Sequence, residues 1–262
     1  MDFIKMHGLG NDFVVLDLLT GDVPGDPAAL ARETCDRHFG IGADGLVLIL
    51  PSNVADARMR IFNPDGSEPE MCGNAVRCVA KYLYELGRAH GETVSVETGA
   101  GIKDMRVFAE KDKVVRVSVD MGVPVEGGQV EFTIEGKPAA FLRVSMGNPH
   151  AVTYSVFPEK EIFDQVGPRI EKSPAFPEGT NVEFCAVVNR GHIRLLVWER
   201  GAGPTLACGT GAGASVFAGV RAGLIDRHAI VTLPGGDLEY EITDDGHAVM
   251  TGPAVEAFRG TF

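Results

Sequence analysis

The stretch Met71–Cys78, with the sequence MCGNAVRC, begins a run of residues that predicts a helix ending just before Gly87. A second stretch, Ala207–Gly213 (ACGTGAG), begins another run of this kind, which ends before Gly223. In both runs the final glycine follows the first cysteine by 15 residues, as expected for a glycine just past the last helical turn. The two stretches therefore predict two long helices, each starting at a Cys-Gly pair.

The match between the two stretches continues upstream. Asn63 and Glu199 each precede the cysteine at the helix start by nine residues, and both follow or end a β-rich run. Further back, Gly-Asn pairs that end at Asn11 and Asn148 precede the cysteines by 61 and 60 residues. Four features in register indicate an internal duplication rather than a chance recurrence of glycine-rich helix starts.

Helix starts of this kind have a defined chemistry. Their first N–H groups lack intrahelical acceptors and carry a partial positive charge, so they bind carboxylate or phosphate. The same field is expected to lower the pKa of a cysteine towards neutrality, and glycine lets a ligand come close to the backbone. The pattern predicts two reactive thiols, Cys72 and Cys208, with an anion site between them. One thiolate could remove a proton from a carbon atom while the other thiol returns one to the opposite face.

The composition restricts the classes of function. Across 262 residues the net charge is −12, which argues against nucleic-acid binding and against attraction to anionic membranes. No apolar run reaches the ~18 residues that a membrane helix needs, and the start of the sequence lacks a signal-peptide pattern. These features predict a cytoplasmic protein that acts on a small molecule, without nucleic acid or membrane as a partner.

The five cysteines form no CxxC pair, so the sequence predicts neither a metal site nor a disulfide framework. The glycine-rich segments match neither a Walker loop nor a GxGxxG motif, so no nucleotide is expected either. Cys35, Cys78 and Cys185 lie in apolar contexts and are predicted to be buried small hydrophobic residues.

The predicted fold class is α+β. Many short strands accompany one long apolar helix in each half, which favours a curled, mostly antiparallel sheet around a central helix over alternating βαβ units. We expect two pseudo-symmetric halves: residues 1–121, which carry Cys72, and residues 122–251, which carry Cys208. A final strand within residues 252–262 is expected to pack back on the first half.

Three local predictions concern segments outside the two central helices. Asp26 is expected to cap a helix that continues to about Arg37. The stretch Val123–Gly128 is interpreted as a linker between the halves. A helix is predicted over Ile162–Ile170, with Gly167-Pro168 as a point where it could break.

At these motifs the sequence resembles the diaminopimelate epimerase family, and the resemblance covers the chain nearly end to end. The matching segments are Met6–Phe13, Gly40–Gly45, Phe62-Asn63, Met71–Asn74, Met146–His150, Gly179–Val182, Glu199–Gly203 and Ala207–Gly211. The resemblance implies a homodimeric isomerase that interconverts LL- and meso-2,6-diaminopimelate in lysine and peptidoglycan-precursor biosynthesis. It also implies a two-base mechanism with no cofactor, and in particular no pyridoxal phosphate.

The resemblance implies a role for each matched residue. The acid–base pair would be Cys72 and Cys208. The carboxylate of the reacting centre would bind the backbone N–H groups of Gly73, Asn74, Gly209 and Thr210. The distal amino-acid end of the substrate would bind Asn11, Asn63, Asn148, Asn181 and Arg200. His150 and Glu199 would tune the thiols or hold the ammonium group.

The sequence departs from the family pattern at a few positions. Gly45 stands where some members carry Gln, and Ala75 replaces a common Gly. Pro204 and Leu206 flank Thr205 where Glu-Thr-Gln is more usual. None of these differences removes a proposed catalytic group.

Three alternatives remain open at this point. One is a proline or hydroxyproline racemase-type enzyme of the same fold, which should not need Asn63, Asn181 and Arg200 for a second amino-acid end. Another is a thiol redox protein that uses Cys72 and Cys208, although that would leave the anion sites unexplained. The third is a non-catalytic amino-acid-binding protein, which the presence of both cysteines disfavours.

Overall fold

A computed structural model describes residues 1–23, 25–89 and 91–262. Its contacts divide the chain into two compact units. The first unit comprises Met1–Val119 and Thr251–Phe262, and the second comprises Asp120–Met250. The division at residues 121 and 251 that the sequence suggests stays a prediction about domains.

Strands outnumber helices in the described part of the chain. The first part of the chain forms β1 (Asp2–Gly8), β2 (Asn11–Asp17), α1 (Pro27–Thr34), β3 (Gly45–Leu50), β4 (Ala57–Phe62), α2 (Gly73–Glu85), β5 (Thr93–Thr98), β6 (Gly101–Glu110) and β7 (Lys113–Asp120). It is followed by β8 (Val125–Ile134), β9 (Lys137–Ser145), β10 (Pro149–Thr153), α3 (Lys160–Glu171), β11 (Asn181–Asn189), β12 (His192–Glu199), β13 (Gly203–Pro204), α4 (Gly209–Arg221), β14 (His228–Leu233), β15 (Gly236–Ile242) and β16 (Ala248–Gly252). The last strand is β17 (Val255–Thr261).

The strands of the two units pair in the same order. In the first unit the order is β17-β1-β2-β3-β4-β5-β6-β7, and all pairs are antiparallel except β2–β3 and β4–β5. In the second unit the order is β8-β9-β10-β11-β12-β14-β15, antiparallel except β10–β11 and β12–β14. The parallel pairs fall at the same two places in each series. The predicted α+β fold with two pseudo-symmetric, mostly antiparallel halves is therefore confirmed.

Each helix connects the two strands of a parallel pair. In the first unit α1 joins β2 to β3 and α2 joins β4 to β5. In the second, α3 joins β10 to β11 and α4 joins β12 to β14. A tight turn cannot join parallel strands, so a crossover is required at these four places. The sequence analysis favoured a sheet around a central helix over alternating βαβ units. The structure shows that each half also contains two βαβ crossovers.

The two central helices begin and end as the sequence predicts. Cys72 and Cys208 are the N-cap residues of α2 and α4, both in extended conformation. Beyond the helix ends, Gly87 and Gly223 adopt the left-handed conformation, with φ of 74° and 70°. The N–H groups of the next residues donate back to carbonyls in the last turn, at 3.0 Å and 2.9 Å, which satisfies acceptors that a helix end leaves open.

The central helices are enclosed by strands of their own units. The α2 residues from Gly73 to Lys81 are all buried, and the helix packs against β1, β4, β5 and β6. Helix α4 is rich in small residues and packs against β9, β10, β11, β12, β14 and β15. Cys35, Cys78 and Cys185 are buried, as predicted. The small residues of α4 suit this close enclosure, whereas α2 also buries the polar side chains of Asn74, Arg77 and Lys81.

Two of the local predictions are wrong. Helix α1 has the predicted cap, with Asp26 Oδ1 accepting from the Ala28 N–H at 3.0 Å, but it ends at Thr34. It stops early because Asp36 Oδ1 accepts from two following N–H groups and so forms a turn. The linker interpretation of Val123–Gly128 is also wrong, since β8 begins at Val125. Its glycine pair forms a β-bulge, which shifts the register against β9 between Glu126 and Gln129.

Helix α3 continues through Gly167-Pro168, so the break considered at this point does not occur. Pro168 lies near the C-terminal end, where only one intrahelical hydrogen bond is lost. Gly167 lies against the indole of Trp198, and a Cβ atom at this position would be 2.6 Å from Trp198 Cδ2. The glycine is therefore explained by close packing against β12 and not by a turn.

We expect Gly167→Ala to lower the urea midpoint of unfolding. The added methyl group would overlap the Trp198 ring, and this cost outweighs the gain of about 1 kcal/mol from better helix propensity. The net loss should be about 1 to 2 kcal/mol in the free energy of unfolding. Gly191→Ala is the control, because its Cβ would have only Asn189 Oδ1, at 3.6 Å, nearby. Equal midpoints for the two variants would contradict the packing argument.

Candidate active site

The first unit places Cys72 next to an amide network. Its Sγ lies 3.9 Å from Oδ1 of Asn11, within reach of a thiol hydrogen bond, and the cysteine is half-buried. The same Asn11 oxygen accepts from Asn74 Nδ2 at 3.0 Å. On the other side of its amide, Asn11 Nδ2 donates to Asp44 Oδ2 at 2.9 Å. The structure therefore brings together three residues that the sequence assigned to one site: Asn11, Cys72 and Asn74.

Charged side chains hold this network in place. The fully buried Arg77 donates from Nη2 to Asn74 Oδ1 at 2.9 Å, which fixes the orientation of that amide. Arg37 donates to both Asp44 and Asp12, at 2.7 Å and 2.8 Å. Burial alone would raise the pKa of Asp12, but hydrogen bonds from Arg37 and from a buried lysine lower it to about 2. Both carboxylates are thus anchored on the side of Asn11 away from the thiol.

Asn63 occupies the turn that follows β4. Its side-chain Nδ2 donates to Ser67 Oγ at 2.9 Å, and its carbonyl accepts from the Gly66 N–H at 2.9 Å. These contacts make it a turn residue, and its assignment to the substrate site stays a prediction.

The second unit places Cys208 in a different environment. The thiol is buried, and its sulfur accepts from the Gly211 N–H at 3.4 Å and lies 3.6 Å from Thr210 Oγ1. The Glu199 carboxyl also contacts the Cys208 side chain. Glu199 Oε1 accepts in turn from the Thr205 hydroxyl at 2.6 Å. The Glu199 carboxyl therefore lies between the thiol of Cys208 and the hydroxyl of Thr205.

A helix start is expected to lower the pKa of a cysteine, but the pKa of Cys208 is raised. Burial raises it well above the ordinary range for a thiol, and the carboxylates of Glu199 and Glu183 raise it further. Hydrogen bonds from Thr210 and from the Gly211 N–H act in the other direction but are the smaller contribution. Burial is also the main cause of the raised pKa of Glu199, and the charge of Glu183 adds to it. These effects favour the thiol form of Cys208 over the thiolate.

His150 connects two further polar residues of this unit. Its Nδ1 lies 2.6 Å from Glu183 Oε1 and its Nε2 lies 3.0 Å from Asn148 Oδ1. Asn148 Nδ2 then donates to Thr210 Oγ1 at 3.3 Å. Hydrogen bonds thus join His150 and Asn148 to the start of α4.

Asn181 and Arg200 are adjacent. The Arg200 N–H donates to Asn181 Oδ1 at 2.9 Å, and Asn181 Nδ2 donates to the Pro149 carbonyl at 2.9 Å. The Arg200 side chain is exposed and donates to the Glu178 carbonyl at 3.1 Å. Asn181 therefore ties the segment that carries Arg200 to the segment that carries His150.

Several residues of the site have no counterpart in the sequence argument. They are Asp44, Arg77, Glu171 and Glu183. Two of them had a detectable signal, since Arg77 follows Asn74 by three positions on one helix face and Glu183 follows Asn181 by two on one strand face. Glu171 accepts from Trp198 Nε1 at 2.8 Å and from the Gly201 N–H at 2.9 Å, a pairing that only the fold reveals.

Within residues 1–23, 25–89 and 91–262, no group of three or more His, Cys, Asp or Glu side chains is arranged to hold a metal ion. In the same part of the chain, no helix is long and apolar enough to cross a membrane.

Sequence comparison matches residues 3–126 and 142–256 to the diaminopimelate epimerase family. The chain is 52% identical over 276 residues to a diaminopimelate epimerase of Moorella thermoacetica, covering 100% of this chain and 99% of the relative. It is 50% identical over 277 residues to the corresponding protein of Pelotomaculum thermopropionicum, covering 100% and 99%. The chain belongs to the diaminopimelate epimerase family. It is therefore an isomerase.

Solved structures of lower sequence identity share the fold of this family member. A probable proline racemase of Agrobacterium radiobacter has a TM-score of 0.77 and 19% identity, covering 100% of this chain and 92% of that chain. A hydroxyproline epimerase of Agrobacterium vitis has a TM-score of 0.74 and 18% identity, covering 99% and 91%. At these identities the likeness concerns the fold alone.

The structure shows the surroundings of the positions at which this chain differs from the usual sequence pattern of the family. Gly45 is buried at the start of β3, and a Cβ there would lie 3.1 Å from the Phe62 carbonyl and 3.4 Å from the Phe13 ring. Thr205, between the unusual Pro204 and Leu206, supplies the hydroxyl that donates to Glu199. The altered segment before Cys208 therefore retains a polar contact to the site.

Glu199→Gln keeps an acceptor for Thr205 but removes the negative charge beside Cys208. The pKa of Cys208 should fall, and thiolate is the form that iodoacetamide alkylates. We expect Cys208 to be alkylated a few-fold to about tenfold faster at neutral pH, since the lower nucleophilicity of the more acidic thiol offsets part of the gain. Peptide mass spectrometry measures the rate at Cys208 separately from that at Cys72.

Glu239→Gln is the matched control for this measurement. It removes a carboxylate from the His228–Glu239 pair, in which His228 Nε2 and Glu239 Oε1 are 3.2 Å apart in the same unit. Alkylation of Cys208 should keep its parent rate in this variant. An unchanged or slower rate in Glu199→Gln would show that Glu199 carries no charge beside the sulfur.

Proposed function

We propose that this protein epimerises LL-2,6-diaminopimelate to meso-2,6-diaminopimelate, in lysine and peptidoglycan-precursor biosynthesis, with Cys72 and Cys208 as the acid–base pair. The observation that carries the proposal is that both units begin their buried central helix with a cysteine N-cap followed by glycine. Membership of the diaminopimelate epimerase family supports the choice of substrate. The reaction requires no cofactor. A cytoplasmic location and a homodimer remain predictions.

The chemistry needs strong stabilisation of negative charge, because the α-hydrogen of an amino acid is a very weak acid. In the proposed reaction the N–H groups of Gly73, Asn74, Gly209 and Thr210 bind the carboxylate next to the reacting carbon. Such donors contribute about 3 kcal/mol each in comparable oxyanion sites. The first N–H groups of a helix are suited to this because they have no acceptor within the helix.

The proton transfers balance over one turnover. One cysteine, as thiolate, forms an S–H bond with the α-proton, and the electron pair of the broken C–H bond remains on the carbon. The other cysteine, as thiol, returns its proton to the opposite face of that carbon and becomes a thiolate. Burial and nearby carboxylates raise the pKa of Cys208 and so favour its protonated form, which supports Cys208 as the proton donor when the reaction starts from the ligand-free protein.

Glu199 supports the reverse reaction, in which Cys208 acts as the base. Its carboxyl group contacts the Cys208 side chain, and burial raises the pKa of this carboxyl group, which makes it a better proton acceptor. Glu199 can accept the Cys208 proton when this cysteine must act as the base, or hold the substrate ammonium group. In the other unit, Asn11 and Asn74 line Cys72 with amide groups.

The distal end of the substrate carries a second ammonium and carboxylate group. We assign its binding to Asn11, Asn63, Asn148, Asn181 and Arg200. The exposed guanidinium of Arg200 can form a paired hydrogen bond with a carboxylate. Asn181 Oδ1 accepts from the Arg200 backbone N–H at 2.9 Å and so holds this residue in place.

The test is α-proton exchange in heavy water, followed by NMR on LL-diaminopimelate with the reduced protein. The parent should incorporate deuterium with inversion, and Cys72→Ala and Cys208→Ala should each lose epimerisation by at least about 10³-fold, because each removes one of two essential proton carriers. Cys35→Ala and Cys185→Ala are matched controls, one in each unit. Both thiols are buried, and burial raises their pKa values to about 11 and about 12.

Three results would count against the proposal. Exchange with proline but not with diaminopimelate would favour a proline racemase-type activity. Exchange with neither amino acid would remove the assigned reaction and leave the fold intact. Full epimerisation by Cys72→Ala or Cys208→Ala would exclude that cysteine from the acid–base pair.

A further inference from the structure

A chain of hydrogen bonds in the second unit runs from a buried glutamate to the sulfur of Cys208. Its contacts are Glu183 to His150 at 2.6 Å, His150 to Asn148 at 3.0 Å, Asn148 to Thr210 at 3.3 Å and Thr210 to Cys208 at 3.6 Å. The residues come from β11, β10, the turn before β10, and the first turn of α4. Four segments therefore contribute to one chain that ends at the proposed catalytic thiol.

The donors in this chain point in a single direction. The Asn148 carbonyl can only accept, so Nε2 of His150 must carry a proton. Asn148 Nδ2 donates to Thr210 Oγ1, which leaves the Thr210 hydroxyl proton available for Cys208 Sγ. Every donor thus faces the sulfur, an arrangement that stabilises the thiolate formed when Cys208 gives up its proton.

The position of the proton at Nδ1 depends on Glu183. With Nε2 already protonated, one proton remains between Nδ1 and Glu183 Oε1, 2.6 Å apart. The pair is electrically neutral whichever atom carries this proton. Nδ1 is hydrogen-bonded to Glu183, so this carboxyl group selects the form of His150 that donates through Nε2.

Glu183 lies in an environment where a glutamate without a function would be costly. It is 0% exposed, and its Oε2 atom has no hydrogen-bond partner within the described part of the chain. A Cβ at Gly211 would lie 2.8 Å from Glu183 Oε1 and 3.2 Å from Cys208 Sγ. The carboxyl group is thus packed directly behind the start of α4, where only glycine leaves room for it.

We propose that Glu183 is a positioning residue that sets the direction of the His150–Asn148–Thr210 chain, so that the Thr210 hydroxyl donates to the Cys208 sulfur. The proposal rests on the proposed function, in which Cys208 carries a proton in catalysis. Glu183 itself does not touch the reacting atoms. Without it, His150 can protonate Nδ1 instead, Asn148 can turn its amide over, and the Thr210 hydroxyl can be drawn away from the sulfur.

The experiment measures the alkylation of Cys208 by iodoacetamide in the ligand-free protein at one fixed pH, with Cys72 as an internal reference. Thr210→Val removes the hydroxyl group that donates to the sulfur. Glu183→Gln keeps the side-chain volume but removes the carboxyl group that sets the direction of the hydrogen-bond chain. Each should slow alkylation of Cys208 by about 3- to 10-fold, the usual effect of one hydrogen bond. The double variant should be no slower than Thr210→Val alone, since both changes act on one chain.

Slower or faster alkylation of Cys208 in Glu183→Gln distinguishes a positioning role of Glu183 from an effect of its charge. Taken by itself, the charge of Glu183 raises the pKa of Cys208, so removal of that charge alone would speed alkylation. The neutral Glu183–His150 pair predicts the opposite sign, because removing the carboxyl with its proton leaves the local charge unchanged. Faster alkylation in Glu183→Gln, or additive slowing in the double variant, overturns the proposal. Thr210→Ser should restore the parent rate, and Glu239→Gln, from an exposed His–Glu pair, should not change it.

A second measurement needs no variant and holds even if Glu183→Gln does not fold. In ¹⁵N-histidine-labelled parent protein, His150 Nε2 should show the signal of a protonated nitrogen, and an unprotonated Nε2 overturns the proposal. Both readouts are independent of substrate. Absence of α-proton exchange would therefore remove the proposed function, while the direction of the chain would still be decided by alkylation and NMR.

Discussion

The N-cap position of two buried helices is the constraint on which the rest of this structure depends. A cysteine at that position has an extended backbone, and its side chain lies beside N–H groups for which the helix provides no acceptor. The following residues must be small or amide-bearing, because β strands enclose α2 and α4 closely. The crossovers from β4 to β5 and from β12 to β14 deliver both helix starts to equivalent places in the two units.

The starts of α2 and α4 have equivalent backbones but different chemical environments. An amide network that begins at Asn11 lies next to Cys72, whereas the carboxyl groups of Glu199 and Glu183 act on Cys208. The duplication therefore supplies the geometry twice, and side chains from neighbouring strands make the two thiols unequal. The proposed mechanism needs this inequality, because one thiol must hold a proton while the other has lost it.

Much of the fold could be predicted from the sequence because its signals are local. The two stop glycines and the Asp26 cap depend on a few adjacent residues, and the structure contains them as expected. Strand β8 was missed because its glycine pair, typical of a linker, forms a bulge whose partner lies on β9. The raised pKa of Cys208 and the part played by Glu183 depend on burial and on residues from several strands. Such contacts join residues that are far apart in the chain. The sequence can therefore place Glu183 on the strand face of Asn181, but it cannot show which groups surround Glu183 or Cys208.

The place of β17 also determines the order in which the first unit can be completed on the ribosome. Strand β1 is synthesised first, but its antiparallel partner β17 follows only after residues 120–250 have been made. At common rates of translation this delay is on the order of ten seconds. Throughout that time one edge of β1 has no partner from its own chain and is open to pairing with strands of other nascent chains. The last strand thus protects the first, and a polypeptide released before β17 is made would expose this edge permanently.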